Sequence, residues 1–331
     1  MSGLFKGRVI GISGVSGFIG RRLAGRCLAE GATVRGLDLE PTTNPCVTFV
    51  QGSVTSSEAV QEFSEGCDIV LHTAAIVKEG GDPELFEQIN VQGTRNVVRG
   101  ARSAGVRRFV QISSVMVYGF HFDGVVDEES PMRGEGNPYC QTKIDSEKAA
   151  LSEHRPGEFE VTAIRCGDVY GPGSIPWTIR PVQMMRSGIF TLSDGGSGIL
   201  NHVYIENLVD GILLTVGSPK TGTAFNLTDD RATTCREFFE YYGRMLGHRR
   251  LRSGPAFLLR TGLRIAAGVQ MLVGKEPSVL PDSISYMTRR GTYSVAKARE
   301  HLGFEPRVDL PEGMRRTQQW LMAEKLIPAK A

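Results

Sequence analysis

The sequence predicts an α/β fold in which a doubly wound parallel sheet is followed by a smaller C-terminal α+β lobe. Three observations lead to this prediction. Strand and helix patterns alternate through the first half of the 331 residues, as the crossovers of a parallel sheet require. A glycine-rich turn joins the first strand to the first helix, and the alternation loosens beyond Gly171-Pro172-Gly173. We therefore predict one domain over residues 1–172 and a second over 173–331, with later segments returning to the first.

The first strand and the first helix are joined by glycines at every third position. The apolar strand 9–13 is followed by Gly14, Gly17 and Gly20, after which apolar residues recur at helical spacing. In this order Gly14 permits a tight turn, Gly17 admits a pyrophosphate close to the backbone, and Gly20 allows the helix to pack on the strand. The free N–H groups at the start of the helix favour phosphates.

The second strand, 32–38, ends in a carboxylate. Asp38 lies eighteen residues beyond Gly20, where a dinucleotide site places the acid that accepts hydrogen bonds from the adenosine ribose. A carboxylate repels a 2′-phosphate, and no arginine follows directly, because the next residues are Leu39 and Glu40. The pattern therefore predicts NAD rather than NADP as the cofactor. The alternative is a structural turn followed by a surface aspartate.

The remaining elements of the first half continue the alternation. Apolar strands are predicted over 47–50, 68–72, 108–113 and 160–165, and helices over 57–65, over 83–104 and from 138. Segment 119–137 contains Gly, Pro and acidic residues without periodicity, which predicts a loop over the site. In the second lobe we expect a helix over 206–216, a strand over 223–227 and a helix over 233–246.

Composition excludes several classes of protein. The net charge of +2 gives no reason to expect a nucleic-acid partner. The six cysteines lack C-x-x-C spacing, so we expect a reducing compartment, no disulfide framework and no metal site. The first strand begins near Val9, which leaves no room for a signal peptide, and no long apolar run is present that spans a membrane. These observations predict a cytoplasmic protein.

Chemistry is indicated by Tyr139 and Lys143, which lie one helical turn apart on the same face. An ammonium near a phenol favours the phenolate, so we expect Lys143 to lower the pKa of Tyr139 and to suit it to proton transfer. Ser114 lies at the carboxyl end of the fifth strand, where its hydroxyl can donate to a substrate oxygen. Ser113 is the alternative, a hydroxyl that only ties the strand end to its surroundings.

With these motifs the chain resembles the extended short-chain dehydrogenase/reductase family. The matching segments are the glycines 14–20, the strand end 73–75, Asn90-Val91-Gln92-Gly93-Thr94, Ser114 with Tyr118, Tyr139 with Lys143, 165–173, 203–207 and 297–306. The resemblance implies a Rossmann fold, NAD as cofactor and Ser114, Tyr139 and Lys143 as a catalytic triad. It implies cofactor contacts by Phe18, Ile19, Ser53, Val54 and Ala74, and by Tyr139 and Lys143. Asn90 is either a fourth member of the proton relay beside Lys143 or a residue that kinks its helix.

Departures from the family pattern narrow the expected substrate. Asp168 stands where the family often has an asparagine that sugar-nucleotide members use near their substrate, and Val115-Met116 replaces the Asp-Glu pair of the 4,6-dehydratases. Residues 241–275 contain no acid and several arginines, and within them 255–273 forms a largely apolar helix. Such an insert resembles the 3β-hydroxysteroid dehydrogenase branch. The helix either packs on the core or lies at a membrane surface, at the inner face, and admits a lipophilic substrate.

Two functional hypotheses follow. The first is an NAD-dependent dehydrogenase of a secondary alcohol on a steroid-like or isoprenoid substrate. The second is a nucleotide-sugar epimerase, for which Arg290 would clamp a pyrophosphate. A third, an NAD-sensing scaffold without catalysis, is disfavoured because all three triad residues are present. The expected partners are a small hydrophobic substrate and a second copy of the chain in a homodimer.

Overall fold

A seven-stranded sheet, parallel throughout, forms the centre of the computed structural model, which describes residues 4–77, 82–272 and 281–328. Its strands are β1 Val9–Ser13, β2 Thr33–Asp38, β3 Val47–Gln51, β4 Ile69–His72, β5 Arg108–Ser114, β7 Glu160–Cys166 and β12 Thr223–Leu227. They lie in the order β12-β7-β5-β4-β1-β2-β3. The central strands are nearly continuous buried runs because helices cover both faces. The predicted doubly wound sheet is confirmed.

The order of the sheet reverses between β1 and β4, and this switch point positions the site. Ligands of such sheets bind beyond the carboxyl ends of the strands at this point. The helices of this half are α1 Phe18–Ala29, α2 Ser57–Ser64, α3 Pro83–Phe86, α4 Gly93–Ser103 and α5 Pro138–Ser152. Helix α1 begins at Phe18, so Gly20 lies inside its first turn. The predicted helix 83–104 is interrupted by a π-helical segment, Glu87–Gln92, between α3 and α4.

One strand predicted for the second lobe belongs to the main sheet. Strand β12 pairs in parallel with β7, from Thr223 beside Thr162 to Leu227 beside Cys166. It is the edge strand of the sheet, and its residues from Ala224 to Leu227 are buried. Helix α7, Ile205–Gly217, precedes β12 and packs on α1, where Arg26 forms an ion pair of 2.8 Å with Asp210. The placement of this strand in the second lobe was therefore wrong, because β12 is a strand of the main sheet.

The other elements are short strands and the helices of the second half. The paired strands are β6 Val125–Val126 with β15 Thr292–Tyr293, β8 Asp168–Tyr170 with β11 His202–Tyr204, β9 Leu192–Ser193 with β14 Ser253–Gly254, and β10 Ile199–Leu200 with β13 Thr233–Thr234. The helices are α6 Arg180–Arg186, α8 Cys235–Met245, α9 Ala256–Leu272, α10 Asp282–Met287, α11 Ala296–Leu302 and α12 Leu310–Ala323. The division at residue 172 stays a prediction.

Helix α9 corresponds to the apolar helix predicted over 255–273, whose last residue lies outside the described part of the chain. It is not a core helix. Ala267 is buried, whereas Phe257, Ile265 and Met271 expose 68%, 65% and 68% of their surface. Within the described ranges, no helix has the length and apolar character needed to cross a membrane.

Candidate active site

The glycine turn between β1 and α1 has the geometry that only glycine permits. Gly14 has φ of +75°, and a Cβ there would lie 2.7 Å from both the Ala74 nitrogen and the Thr73 hydroxyl. A Cβ at Gly20 would overlap the carbonyl oxygen of Gly14, so α1 could not pack this closely on the turn. The Gly17 N–H donates to the Gly14 oxygen at 3.0 Å and closes the turn.

The start of α1 is free to receive an anion. Gly17 occupies the N-cap position, no side chain caps the helix, and its first turn carries no acidic residue. The unsatisfied N–H groups and the positive end of the helix dipole therefore face the turn. These features fit the diphosphate of a dinucleotide.

Asp38 lies beside the glycine turn, at the carboxyl end of β2. Its Oδ2 accepts a hydrogen bond from the backbone N–H of Ser16 at 3.0 Å, and its Oδ1 accepts one from Leu39 at 2.8 Å. These bonds fix the carboxylate beside the glycine turn. A carboxylate has further lone pairs for ribose hydroxyls, so the residues present fit NAD.

A cleft of about 1200 Å³ runs from this turn to the second lobe. The predicted residues that line it are Gly14, Gly17, Phe18, Ile19, Asp38, Ser53, Val54, Ala74, Ser114, Tyr139 and Lys143. Two predicted residues do not line it: Gly20 lies beneath the turn, and Asn90 lies behind the cleft wall. The far end is apolar and includes Trp177, Phe190, Phe239 and the inner side of α9.

The residues Ser114, Tyr139 and Lys143 lie together in the middle of the cleft. Asn137 starts α5 by accepting the N–H of Cys140 at 3.1 Å, and Pro138 occupies the first turn. This start places Tyr139 at the mouth of the sheet, where its phenol is hydrogen-bonded to Ser114. One turn later, the Lys143 ammonium donates to the carbonyl oxygen of Ile112 at 3.1 Å and lies 6.0 Å from the centre of the Tyr139 ring.

The electrostatics of Tyr139 differ from the prediction. Burial raises the pKa of Tyr139, and the hydrogen bond to Ser114 opposes this rise. Burial also lowers the pKa of Lys143. The predicted depression of the phenol pKa was wrong for the chain alone, because the cost of burying a phenolate exceeds what the neighbouring ammonium supplies.

The two adjacent serines have different partners. The buried Ser113 hydroxyl donates to Glu147 Oε2 at 2.6 Å, and Glu147 also binds the buried Arg165 at 2.7 Å. The Ser114 hydroxyl accepts the N–H of Met116 at 3.2 Å and lies against Tyr139. Ser113 therefore ties β5 to α5, whereas Ser114 faces the phenol.

Asn90 is held by backbone groups, and it lies inside the π-helical segment. Its Oδ1 accepts a hydrogen bond from the Ile76 N–H at 2.7 Å. Its Nδ2 donates to the Ile76 carbonyl oxygen at 3.2 Å and to the Thr142 hydroxyl at 3.3 Å. No direct bond joins it to Lys143 among the described residues. Asn90 thus lies in an irregular helix and holds the chain after β4, and its place in a relay with Lys143 stays a prediction.

Sequence reasoning missed a buried histidine behind the cofactor end. Both ring nitrogens of His72 are hydrogen-bonded, Nδ1 with the Ser13 hydroxyl at 2.5 Å and Nε2 with the Thr94 hydroxyl at 3.0 Å. Burial, with a contribution from the Lys143 charge, lowers the pKa of His72 to about 3, so the ring is neutral. Its position at the end of a buried strand was the only available signal.

Sequence reasoning also missed a buried ion pair beside Tyr139. Asp168, at the start of β8, accepts from Arg289 at 2.5 Å, and both side chains are almost completely buried. Arg290, the predicted pyrophosphate clamp, is exposed and does not line the cleft. The interpretation of Arg290 was wrong because its neighbour Arg289 is the residue that turns inward.

Helix α9 covers the apolar end of the cleft with one face. Leu259, Leu263, Ala266 and Gln270 follow helical spacing and line the cleft. The opposite face, with Phe257 and Ile265, is exposed. Leu259 and Leu263 are therefore not the outer surface of the helix.

Comparison with known proteins agrees with this geometry. The NAD dependent epimerase/dehydratase family model matches residues 10–228. A 3-beta-hydroxysteroid dehydrogenase of Mycolicibacterium neoaurum is 30% identical, over 91% of this chain and 87% of its own length. The human sterol-4-alpha-carboxylate 3-dehydrogenase, decarboxylating, is 27% identical over 93% of this chain and 87% of its own length. The structure of MoeE5 in complex with UDP-glucose and NAD is 25% identical, with a TM-score of 0.76 over 96% of this chain and 100% of that one.

These findings confirm the predicted family, fold and cofactor. The family model covers more than half of the chain, and the relatives extend over nearly all of it. The assignment of Gly14, Gly17 and Asp38 to cofactor binding stays a prediction. The chain is an enzyme that uses NAD and belongs to the NAD dependent epimerase/dehydratase family.

Proposed function

We propose that the protein is an NAD-dependent oxidoreductase of a secondary alcohol or ketone on a hydrophobic, steroid-like or isoprenoid substrate. The observation that carries the proposal is the position of Tyr139. It lies in one continuous cleft between a dinucleotide end and an apolar end. A substrate in the apolar end would bring its alcohol carbon to the phenol.

The roles of the residues follow from their contacts. NAD, when bound, accepts or supplies the hydride. As a phenolate, Tyr139 takes the proton of the alcohol while the alcohol is oxidised, and as a phenol it returns that proton in reduction. Ser114, which already binds the phenol, donates to the substrate oxygen and opposes the charge that develops there. Lys143 holds the ribose hydroxyls next to the nicotinamide, and its positive charge favours the phenolate once ligands cover the site.

The apolar end supports a lipophilic substrate. Trp177, Phe190, Phe239 and the inner leucines of α9 line it, and burial of apolar surface would supply most of the affinity. The names of the relatives indicate two substrate classes, 3-hydroxysteroids and sterol carboxylates. A nucleotide sugar is the competing class, because MoeE5 binds UDP-glucose in a similar fold. Arg290, however, lies outside the cleft.

We also propose that the outer face of α9 contacts an anionic membrane surface, from which a lipophilic substrate enters the cleft. Phe257, Ile265, Val269 and Met271 are exposed on this helix, and Arg264 is exposed beside them. Residues 241–275 carry no acid that would repel anionic headgroups. An exposed apolar face with arginines suits the boundary between headgroups and acyl chains. The homodimer stays a prediction.

A binding experiment tests the proposed substrate class. The shift in melting temperature of the NAD-bound protein is measured with a 3β-hydroxysteroid and, in parallel, with UDP-glucose, because a ligand that binds only the folded state stabilises it. We expect a shift with the steroid and none with UDP-glucose. A shift with UDP-glucose alone would contradict the proposal and favour the epimerase.

A further inference from the structure

One acceptor in the middle of the cleft has no partner among the residues that the structure describes. Asp168 is 4% exposed and lines the cleft. Both hydrogen bonds to its carboxylate end on Oδ2, from the Asn201 N–H at 3.1 Å and from Arg289 at 2.5 Å. Oδ1 accepts no hydrogen bond from any described residue. A polar atom that is largely removed from water needs a partner, and a ligand in the cleft can supply it.

Arg289 holds this carboxylate in place without entering the cleft. Its side chain is completely buried, its Nε donates to the Tyr286 carbonyl oxygen at 3.1 Å, and it does not line the cleft. Burial raises the pKa of Asp168, and the positive charge of Arg289 opposes this rise. The pair therefore presents one fixed carboxylate oxygen to the cleft.

A second unpartnered group lies beside it. Tyr286, on α10, lines the cleft. The centre of its ring lies 4.7 Å from that of Phe120 and 6.3 Å from that of Trp177. Its hydroxyl forms no hydrogen bond with the described residues. The Arg289 guanidinium, which donates to Asp168, lies 5.4 Å from the centre of the Tyr286 ring, so Tyr286 and Asp168 lie around the same arginine. Burial raises the pKa of Tyr286 well above its ordinary value, and Tyr139 and Asp168 add to this rise.

We propose that Asp168 Oδ1 and the Tyr286 hydroxyl bind a second hydroxyl group of the substrate, close to the carbon that reacts at Tyr139. The substrate hydroxyl would donate to Asp168 and accept from Tyr286. A carboxylate at the same place would face Oδ1 with like charge and no proton to donate, so the site rejects it. The inference rests on the proposed function. It predicts that the site prefers a neutral hydroxylated substrate to an acidic one.

The test uses three 3β-hydroxysteroids with the same rings and either hydrogen, hydroxymethyl or carboxylate at carbon 4. For the wild type we expect kcat/KM for the hydroxymethyl compound to exceed that for the carboxylate by at least about 100-fold, as expected for a site built to bind a hydroxyl. Equal kcat/KM for these two compounds would overturn the inference but leave the proposed function intact. Turnover of none of the three would overturn both.

Two variants locate the discrimination. In Asp168→Asn the amide oxygen stays on Arg289 and the N–H group faces the cleft, so the hydroxymethyl-to-carboxylate ratio should fall by about tenfold or more. Tyr286→Phe leaves the buried ion pair intact and should lower kcat/KM for the hydroxymethyl compound by about threefold to tenfold. Tyr286→Phe therefore tests the proposal even if Asp168→Asn does not fold.

The alternative partner of Asp168 is the carboxamide N–H of NAD rather than a substrate hydroxyl. The affinity for NAD distinguishes these two partners. We expect the dissociation constant of NAD to be the same in the wild type, Asp168→Asn and Tyr286→Phe. A weaker affinity for NAD with an unchanged ratio between the two substrates would assign Asp168 to the cofactor and overturn the inference.

Discussion

The two faces of helix α9 make a prediction that separates membrane contact from substrate binding. The variant Phe257→Gln/Ile265→Gln changes the exposed face, whereas Leu259→Gln/Leu263→Gln changes the face that lines the cleft. The outer pair should abolish most binding to anionic vesicles and leave the activity on a detergent-dispersed substrate unchanged. The inner pair should raise KM and leave vesicle binding largely unchanged.

The magnitude follows from the exposed fractions. Phe257 and Ile265 expose 68% and 65% of their surface, and full burial of such a side chain contributes roughly 1.5–3 kcal/mol. About two thirds of this is available to each residue, or roughly 2–4 kcal/mol for the pair, which is roughly 30- to 900-fold in vesicle affinity. Because these side chains pack on little, the free energy of unfolding should change by no more than about 0.5 kcal/mol each.

The assay is co-sedimentation with vesicles that contain anionic lipid, at low and high salt. Salt should weaken wild-type binding, since screening acts on Arg264 and its basic neighbours, but should not remove the apolar part. Wild-type protein that ignores vesicles at low salt would refute the membrane proposal. An outer-face variant that loses stability instead of vesicle affinity would show that this face is covered by protein.

Two further predictions concern the cofactor end. Asp38→Ala should weaken NAD binding by about tenfold to a hundredfold and bring NADP to comparable affinity, because an acceptor and a repelling charge are lost together; calorimetric titration of both cofactors is the measurement, and a wild type that prefers NADP would contradict the argument. His72 is neutral when buried, with its pKa lowered to about 3, so the unfolded chain binds the additional proton below about pH 6.5. Stability should therefore fall as the pH falls from about 6.5 towards 3, by up to about 1.4 kcal/mol per pH unit from this group. Urea unfolding at pH 7 and pH 5 should show a smaller loss for His72→Asn than for the wild type, and equal losses would exclude His72 as the cause.

Features that depend on local spacing could be predicted from the sequence. The turn at Gly14 and the acid at the end of β2 lie within one strand–helix–strand unit, and Tyr139 and Lys143 lie within one helical turn. Their geometry is set by backbone sterics and helix periodicity, which the sequence displays directly. The alternation of elements predicted the parallel sheet for the same reason.

Features that depend on distant partners could not be predicted. Asp168 and Arg289 are 121 residues apart, and nothing in the local pattern shows that Arg289 turns inward and Arg290 outward. Strand β12 joins the main sheet through backbone pairing with β7, which lies about 60 residues earlier in the chain. The predicted lowering of the Tyr139 pKa was wrong because helical spacing reveals the nearby ammonium but not the extent of burial.

The most direct test of the proposed function is NADH formation from NAD and a 3β-hydroxysteroid, followed by absorbance in the wild type and in Tyr139→Phe. We expect turnover by the wild type and a loss of about 10²- to 10⁴-fold in kcat for the variant, with its NAD affinity nearly unchanged, because the substitution removes only the proton-transferring group. Absence of turnover in the wild type, or a variant that keeps more than about a tenth of the rate, would contradict the account.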